Sequence, residues 1–179
     1  MYNKYLVRSS SFSASIFTDI VLISIFVLST VYSHLLPIPL YMIEPMRIVL
    51  FFSLLYSNKY NQYFLALLLP IISFAVSGHP PLVKTIIIIL ELGFNVYLLN
   101  LFIGKKINLF LSIFISTVIS KILYYIIKLF IYSYILKEEF EIGKERIIEQ
   151  IILILLLSTM IYMINQLKEK KKFKLFSRD

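Results

Sequence analysis

The stretch SGHPPLVKTIIIILELGFNVYLLNLFI (77–103) decides the fold. From 82 to 103 it is apolar on nearly every side, with Lys84, Glu91 and Asn95 as interruptions. An amphipathic helix of a soluble domain alternates apolar and polar faces, and this run does not. Its length suits a helix crossing a bilayer, which takes about 20 residues. Ahead of it, Pro80 and Pro81 stiffen a turn that holds His79, and Pro81 can sit in the first turn of the helix. The stretch therefore predicts a rigid turn feeding a membrane span with ionisable groups inside it.

The rest of the chain repeats the pattern. Of its 179 residues, 59% are hydrophobic and only 16% are charged, and the mean hydropathy is +0.86. Those values lie far outside the soluble range. Apolar blocks fall at about 12–32, 39–56, 60–76, 82–103, 107–136 and 147–167. They are too long and too continuous for the short alternating strands of an outer-membrane barrel. The first block follows Lys4 and Arg8 like a signal peptide, but it is too long for one and reads as an uncleaved span. The second has a short purely apolar part, so 34–45 is either a loop folded into the protein or part of the span. The fifth exceeds a bilayer's width and must tilt or protrude. Pro70 predicts a kink in the third. The expectation is one all-α domain over 1–179, an integral membrane bundle of about six transmembrane helices.

Basic residues set its orientation. Eleven of them (Lys4, Arg8, Lys59, Lys105, Lys106, Lys168, Lys170, Lys171, Lys172, Lys174 and Arg178) fall on one side of a six-span layout. The other side receives HLLPIP (34–39), SGHPP (77–81) and KEEFEIGKER (137–146), with three. Both termini are predicted to be cytoplasmic. The net charge of +8 then reports loops facing anionic lipid rather than nucleic acid. With no cysteine, disulfides, thiolate metal sites and cysteine nucleophiles are excluded.

Seven ionisable residues lie within the blocks: Asp19, Glu44, Arg47, Lys84, Glu91, Lys121 and Lys128. Each costs about 2.5–3.5 kcal/mol at a helix centre, so they are expected to face the bundle interior or water, and many of them to pair. Lys84 and Glu91 are seven apart and Asn95 four beyond, which puts all three on one helix face. Glu44 and Arg47, three apart, can pair on one face. Lys121 and Lys128 are seven apart, with Tyr125 and Tyr132 on the same stripe. Simpler roles stand beside these. Lys84 and Lys128 can snorkel to the interface. Glu44 and Arg47 can be a structural ion pair. His79 can be a turn residue, and Asp19, near the cytoplasmic end, a structural or partner contact. Lys121 is harder to read that way, because it is close to the middle of its block, and Glu91, similarly deep, is expected to be functional or to pair with a basic group of another helix. His34, Glu44, Arg47, His79 and Lys84 converge on the outer side, which predicts a pocket opening outward.

On LLPIPLYMIEPMRIVLFF (35–52) and SGHPPLVKTIIIILELGFN (77–95), and on its overall layout, the chain resembles the substrate-binding S components of energy-coupling factor transporters. The resemblance implies a bacterial inner-membrane protein that is not an enzyme and carries no cofactor. It implies capture of a vitamin-like small molecule at the outer face. The partners would be membrane lipid, a transmembrane coupling subunit and cytoplasmic ATPases, with no nucleic acid. Glu44, Arg47, His79, Lys84, Glu91, Asn95 and Lys121 would be the substrate-binding residues, with Tyr41 a further neutral contact. Small residues on the first block (Ser9/Ser13, Ser11/Ser15, Ala14/Thr18) could admit a close partner helix.

A second reading makes the chain a non-catalytic scaffold subunit of a cell-envelope complex, similar to the rod-shape-determining D protein. The buried charges would then join helices. An intramembrane enzyme fits poorly. The two histidines lie in different outer loops, the only aspartates are Asp19 and Asp179, and no glycine-rich phosphate loop occurs.

Overall fold

The computed structural model describes residues 12–35, 44–78, 80–136 and 144–176. All of its regular structure there is helical. The helices are α1 (Phe12–Leu35), α2 (Pro45–Tyr56), α3 (Lys59–Ser77), α4 (Leu82–Gly104), α5 (Leu109–Phe130) and α6 (Lys144–Phe176). A π-helical turn, Ile131–Leu136, prolongs α5. Five helices, all but α2, are long and apolar enough to cross a membrane. The protein is thus an all-α multi-pass membrane bundle, as the hydropathy blocks predict.

The second block departs from the simplest expectation. Its helix begins only at Pro45, and its 12 residues rise about 18 Å against a hydrocarbon core of about 30 Å. Residues 39–43 of the expected span lie outside the described residues. The proline itself sets the start, because its fixed φ and missing N–H suit the first helical turn. At the third block, α3 runs continuously through Pro70.

α2 is the central helix. Val49 and Leu50 pack with Phe26 of α1, Leu65, Ala66 and Leu69 of α3, and Leu92 and Val96 of α4. Phe51, Leu54 and Leu55 face the other way, onto Leu99 and Ile103 of α4, Leu109 and Ile113 of α5, and Leu157 and Ile161 of α6. A helix packed on both faces needs no wide polar face, which is why this segment carries only Ser53 and the Tyr56 hydroxyl as polar groups after Arg47. The five long helices instead present exposed Ile, Leu and Phe side chains outward, such as Phe17, Phe64, Leu90, Ile126 and Leu156. That inversion suits lipid as the surrounding solvent.

α4 and α5 pack against each other along a seam of small residues. Ser112, Ser116, Thr117 and Ser120 of α5 are all fully buried and let the two backbones approach closely. Asn95 fixes the register by donating from Nδ2 to Thr117 Oγ1 (3.2 Å) and Ser120 Oγ (2.9 Å). At the other end of α4, Gly78 closes α3 at φ 65°, a left-handed conformation that glycine adopts freely, and its N–H donates to the Phe74 carbonyl.

Candidate functional site

The polar centre is built where α2 begins. Glu91 lies midway along α4, and Lys121 midway through the spanning part of α5. Arg47 stands in the first turn of α2 and reaches Glu91 Oε1 with Nη2. Its Nη1 pairs with Glu44 Oε2 at 2.9 Å. Lys121 Nζ meets Glu44 Oε1 at 2.5 Å and Glu91 Oε1 at 3.4 Å. The four side chains close a ring of alternating sign, Arg47–Glu44–Lys121–Glu91, whose formal charge sums to zero. Arg47 and Glu91 are 2% and 3% exposed, so this ring sits inside the protein and not on a wetted surface.

Local backbone supports the ring at some cost. Glu44 occupies the N-cap of α2 with φ 50°, ψ 59°, a left-handed conformation that costs a non-glycine residue about 1–2 kcal/mol. Its carboxylate bridges two cations from there, and its carbonyl accepts from the Arg47 and Ile48 N–H groups. Isolated charges at this depth would cost about 2.5–3.5 kcal/mol each, and mutual pairing offsets that.

The sequence-derived candidates divide into three groups. Glu44, Arg47, Glu91 and Lys121 meet directly. Asn95, on the same face of α4, is turned to α5 by its hydrogen bonds to Thr117 and Ser120, one turn from the ring. Lys84 is half-buried two turns from Glu91, towards the Pro80–Pro81 turn. His79 and Tyr41 lie outside the described residues. That turn is braced by Thr85, whose hydroxyl lies 3.0 Å from the Pro80 carbonyl and 3.1 Å from that of Pro81.

The tyrosines differ from expectation. Tyr124, not Tyr125, faces the lysine stripe: Lys121 Nζ lies 5.3 Å and Lys128 Nζ 6.0 Å from its ring centre. Tyr132 also takes Lys128, at 5.6 Å. Tyr125 turns instead to α6 and donates its hydroxyl to Gln150 Oε1 at 2.9 Å. Both tyrosines fall within a helical stripe containing Lys121, so only the position of α6 separates them.

Asp19 lies apart, at the end of the bundle that carries Lys59, Lys105 and Lys106. Its Oδ2 accepts from Ser57 Oγ (2.9 Å) and Asn61 Nδ2, which ties α1 to the α2–α3 turn. At the same end Lys168 of α6 donates to the Leu55 carbonyl at the end of α2 (3.0 Å) and covers the Tyr56 ring. Among the described residues no group of three or more His, Asp or Glu side chains is placed to hold a metal ion.

Chemically, the ring offers two cations and two carboxylates that balance in charge, while Glu44 Oε2 and Arg47 Nε and Nη1 are buried without a hydrogen bond. Comparison with protein-family models, with curated proteins and with solved structures finds no match for this chain in any of the three.

Proposed function

We propose that the protein captures a small, vitamin-like molecule at the outer face of a bacterial cytoplasmic membrane, in the manner of the S components that it resembles. A transmembrane coupling subunit and cytoplasmic ATPases would then drive release inward. In this reading both termini are cytoplasmic, and the Pro80–Pro81 turn faces outside. The observation that carries it is the start of α2 at mid-depth, beside Glu91 and Lys121. A half-length helix whose N-terminus opens inside the bundle is how many transporters bring backbone dipole and charged side chains to a substrate within the membrane. A bundle held by lipid-facing packing alone has no need of such a helix.

The second reading is the envelope scaffold. The direct pairing of Arg47 with Glu91, both buried, favours it, because a closed ring of charge can lock helices without any ligand.

Purification of the tagged full chain from its native host in mild detergent separates the two. Mass spectrometry identifies retained small molecules and partner chains. Capture requires a retained small molecule together with a membrane partner and an ATPase. Envelope proteins alone, with no small molecule, would overturn it in favour of the scaffold.

A further inference from the structure

The ring is uneven. Arg47 Nη2 hydrogen-bonds to Glu91, and Lys121 Nζ meets both carboxylates. The side between Arg47 and Glu44 differs. Nη1 and Oε2 stand 2.9 Å apart there, in charge contact but without the alignment of a hydrogen bond. Both atoms, and Arg47 Nε with them, are buried and have no hydrogen-bond partner. A buried polar atom left so costs free energy, and more when its group is charged. Native proteins keep few of them, so three on one ion pair call for a partner.

The backbone aims the acceptor at this place. Glu44 stands at the N-cap of α2 in a left-handed conformation, and its side chain makes no capping hydrogen bond. A carboxylate at an N-cap ordinarily accepts from N–H groups of the first turn. This one turns to Arg47 and Lys121 instead. Backbone strain of that kind gathers at ligand clamps. The ring is also less covered on this side. The Glu44 and Lys121 side chains are 16% and 14% exposed, whereas Arg47 and Glu91 are almost fully enclosed.

Charge selects what fits. An anion would be repelled by Glu44 Oε2, and a cation by the Arg47 guanidinium, at close range in a low-dielectric interior. A neutral group with an acceptor beside a donor suits both atoms. Its carbonyl accepts from Nη1 while its N–H donates to Oε2.

We infer that Arg47 and Glu44 bind the edge of a neutral lactam, ureide or imide ring in the captured molecule, through its adjacent carbonyl and N–H. This rests on the capture reading and adds a substrate class to it. Both bonds are charge-assisted from the protein side, and the ligand brings no net charge into the membrane. Lys121, on the other Glu44 oxygen, holds the acceptor in place.

The test uses the purified full chain in phosphatidylcholine nanodiscs, with thermal unfolding followed by circular dichroism. Uracil and glutarimide present the proposed edge. Their fully N-methylated forms lack the N–H, and benzoate and benzylamine carry charge. Molecules that co-purify are identified in parallel. The expected result is a saturable rise in Tm with uracil or glutarimide only, and a co-purified molecule that contains such a ring. Arg47→Lys keeps the charge and removes Nε and Nη1, so it should raise the half-saturating concentration about tenfold or more. Asp19→Asn, at the other end of the bundle, should leave it unchanged. Glu44→Gln should erase the preference for the N–H probes over their N-methylated forms, which a merely structural role would not do. Helical content and ligand-free Tm exclude misfolding of each variant, and the probe series on the original chain decides alone if a variant does not fold. Equal response to N–H and N-methylated probes overturns the inference. A retained molecule without such an edge, held as well by Arg47→Lys, overturns it and leaves capture standing. No retained molecule and no response to any probe overturns both readings.

Discussion

The ring of Glu44, Arg47, Glu91 and Lys121 and the cluster of Asp19, Ser57 and Asn61 each draw on separate parts of the chain and bury carboxylates inside the bundle. They solve the problem of a buried charge differently. In the ring each carboxylate meets two cations and each cation two carboxylates. In the Asp19 cluster a lone carboxylate meets neutral donors, and Asp19 Oδ1, like Glu44 Oε2 and Arg47 Nε and Nη1 in the ring, is buried without a hydrogen bond. Glu91 and Lys121 of the ring lie midway along their spanning helices, with Arg47 and Glu91 buried. Asp19 lies in the second turn of α1, near the end of its span, where a proton or water is within easier reach. Depth decides how completely a charge has to be compensated by protein.

The same chemical change at the two places should therefore have unequal effects. Glu91→Gln removes one negative charge from the ring and leaves Arg47 and Lys121 to share Glu44. We expect a loss of about 3–5 kcal/mol, read as a fall in the denaturant midpoint of the purified protein. A loss below about 1 kcal/mol would mean that the ring is not tightly coupled. Removing an entire pair should cost less than removing half of it. Arg47→Met combined with Glu91→Leu leaves the neutral Glu44–Lys121 pair, and a double-mutant cycle should recover most of the single-variant loss, to within about 2 kcal/mol of the original. If capture is the function, that paired variant should fold and yet retain no small molecule. Asp19→Asn should do least. It removes a buried charge and keeps an acceptor for Ser57 and Asn61, so the midpoint should move by less than about 1 kcal/mol in either direction. A larger loss would show that the Asp19 charge itself is needed.

Most of the fold was legible because spans are written in composition. The blocks at 60–76, 82–103 and 107–136 agree closely with α3, α4 and α5 with its π-helical turn. The last block reads shorter than α6, which continues into the basic tail, since lysine favours helix but lowers hydropathy. The site was legible along each helix and not between helices. Spacing alone put Glu91 with Lys84 and Asn95, and Glu44 with Arg47. It could not say that Arg47 turns to α4 while Glu44 bridges to α5, because no period in one helix encodes which neighbour stands opposite. The tie from Asp19 to Ser57 and Asn61 was hidden for the same reason. The topology put all three at one end of the bundle, and that was the signal available for it.

The short central helix also bears on how the protein is made. α2 is too short to be recognised as a span on its own, and it carries Arg47 at its start. Besides Glu44 three residues before it, its counter-charge is Glu91, 44 residues further along the chain. At a synthesis rate of about 5–20 residues per second, Arg47 waits roughly 2–9 s after emerging before Glu91 exists at all. Glu44 and Arg47 can pair with each other at once, and Lys121, the second cation on Glu44, follows later. During translation α2 therefore has no stable place in lipid. It settles only when α4, α5 and then α6 have arrived to pair its charges and cover its apolar face, so α2 is placed after helices that follow it in the chain.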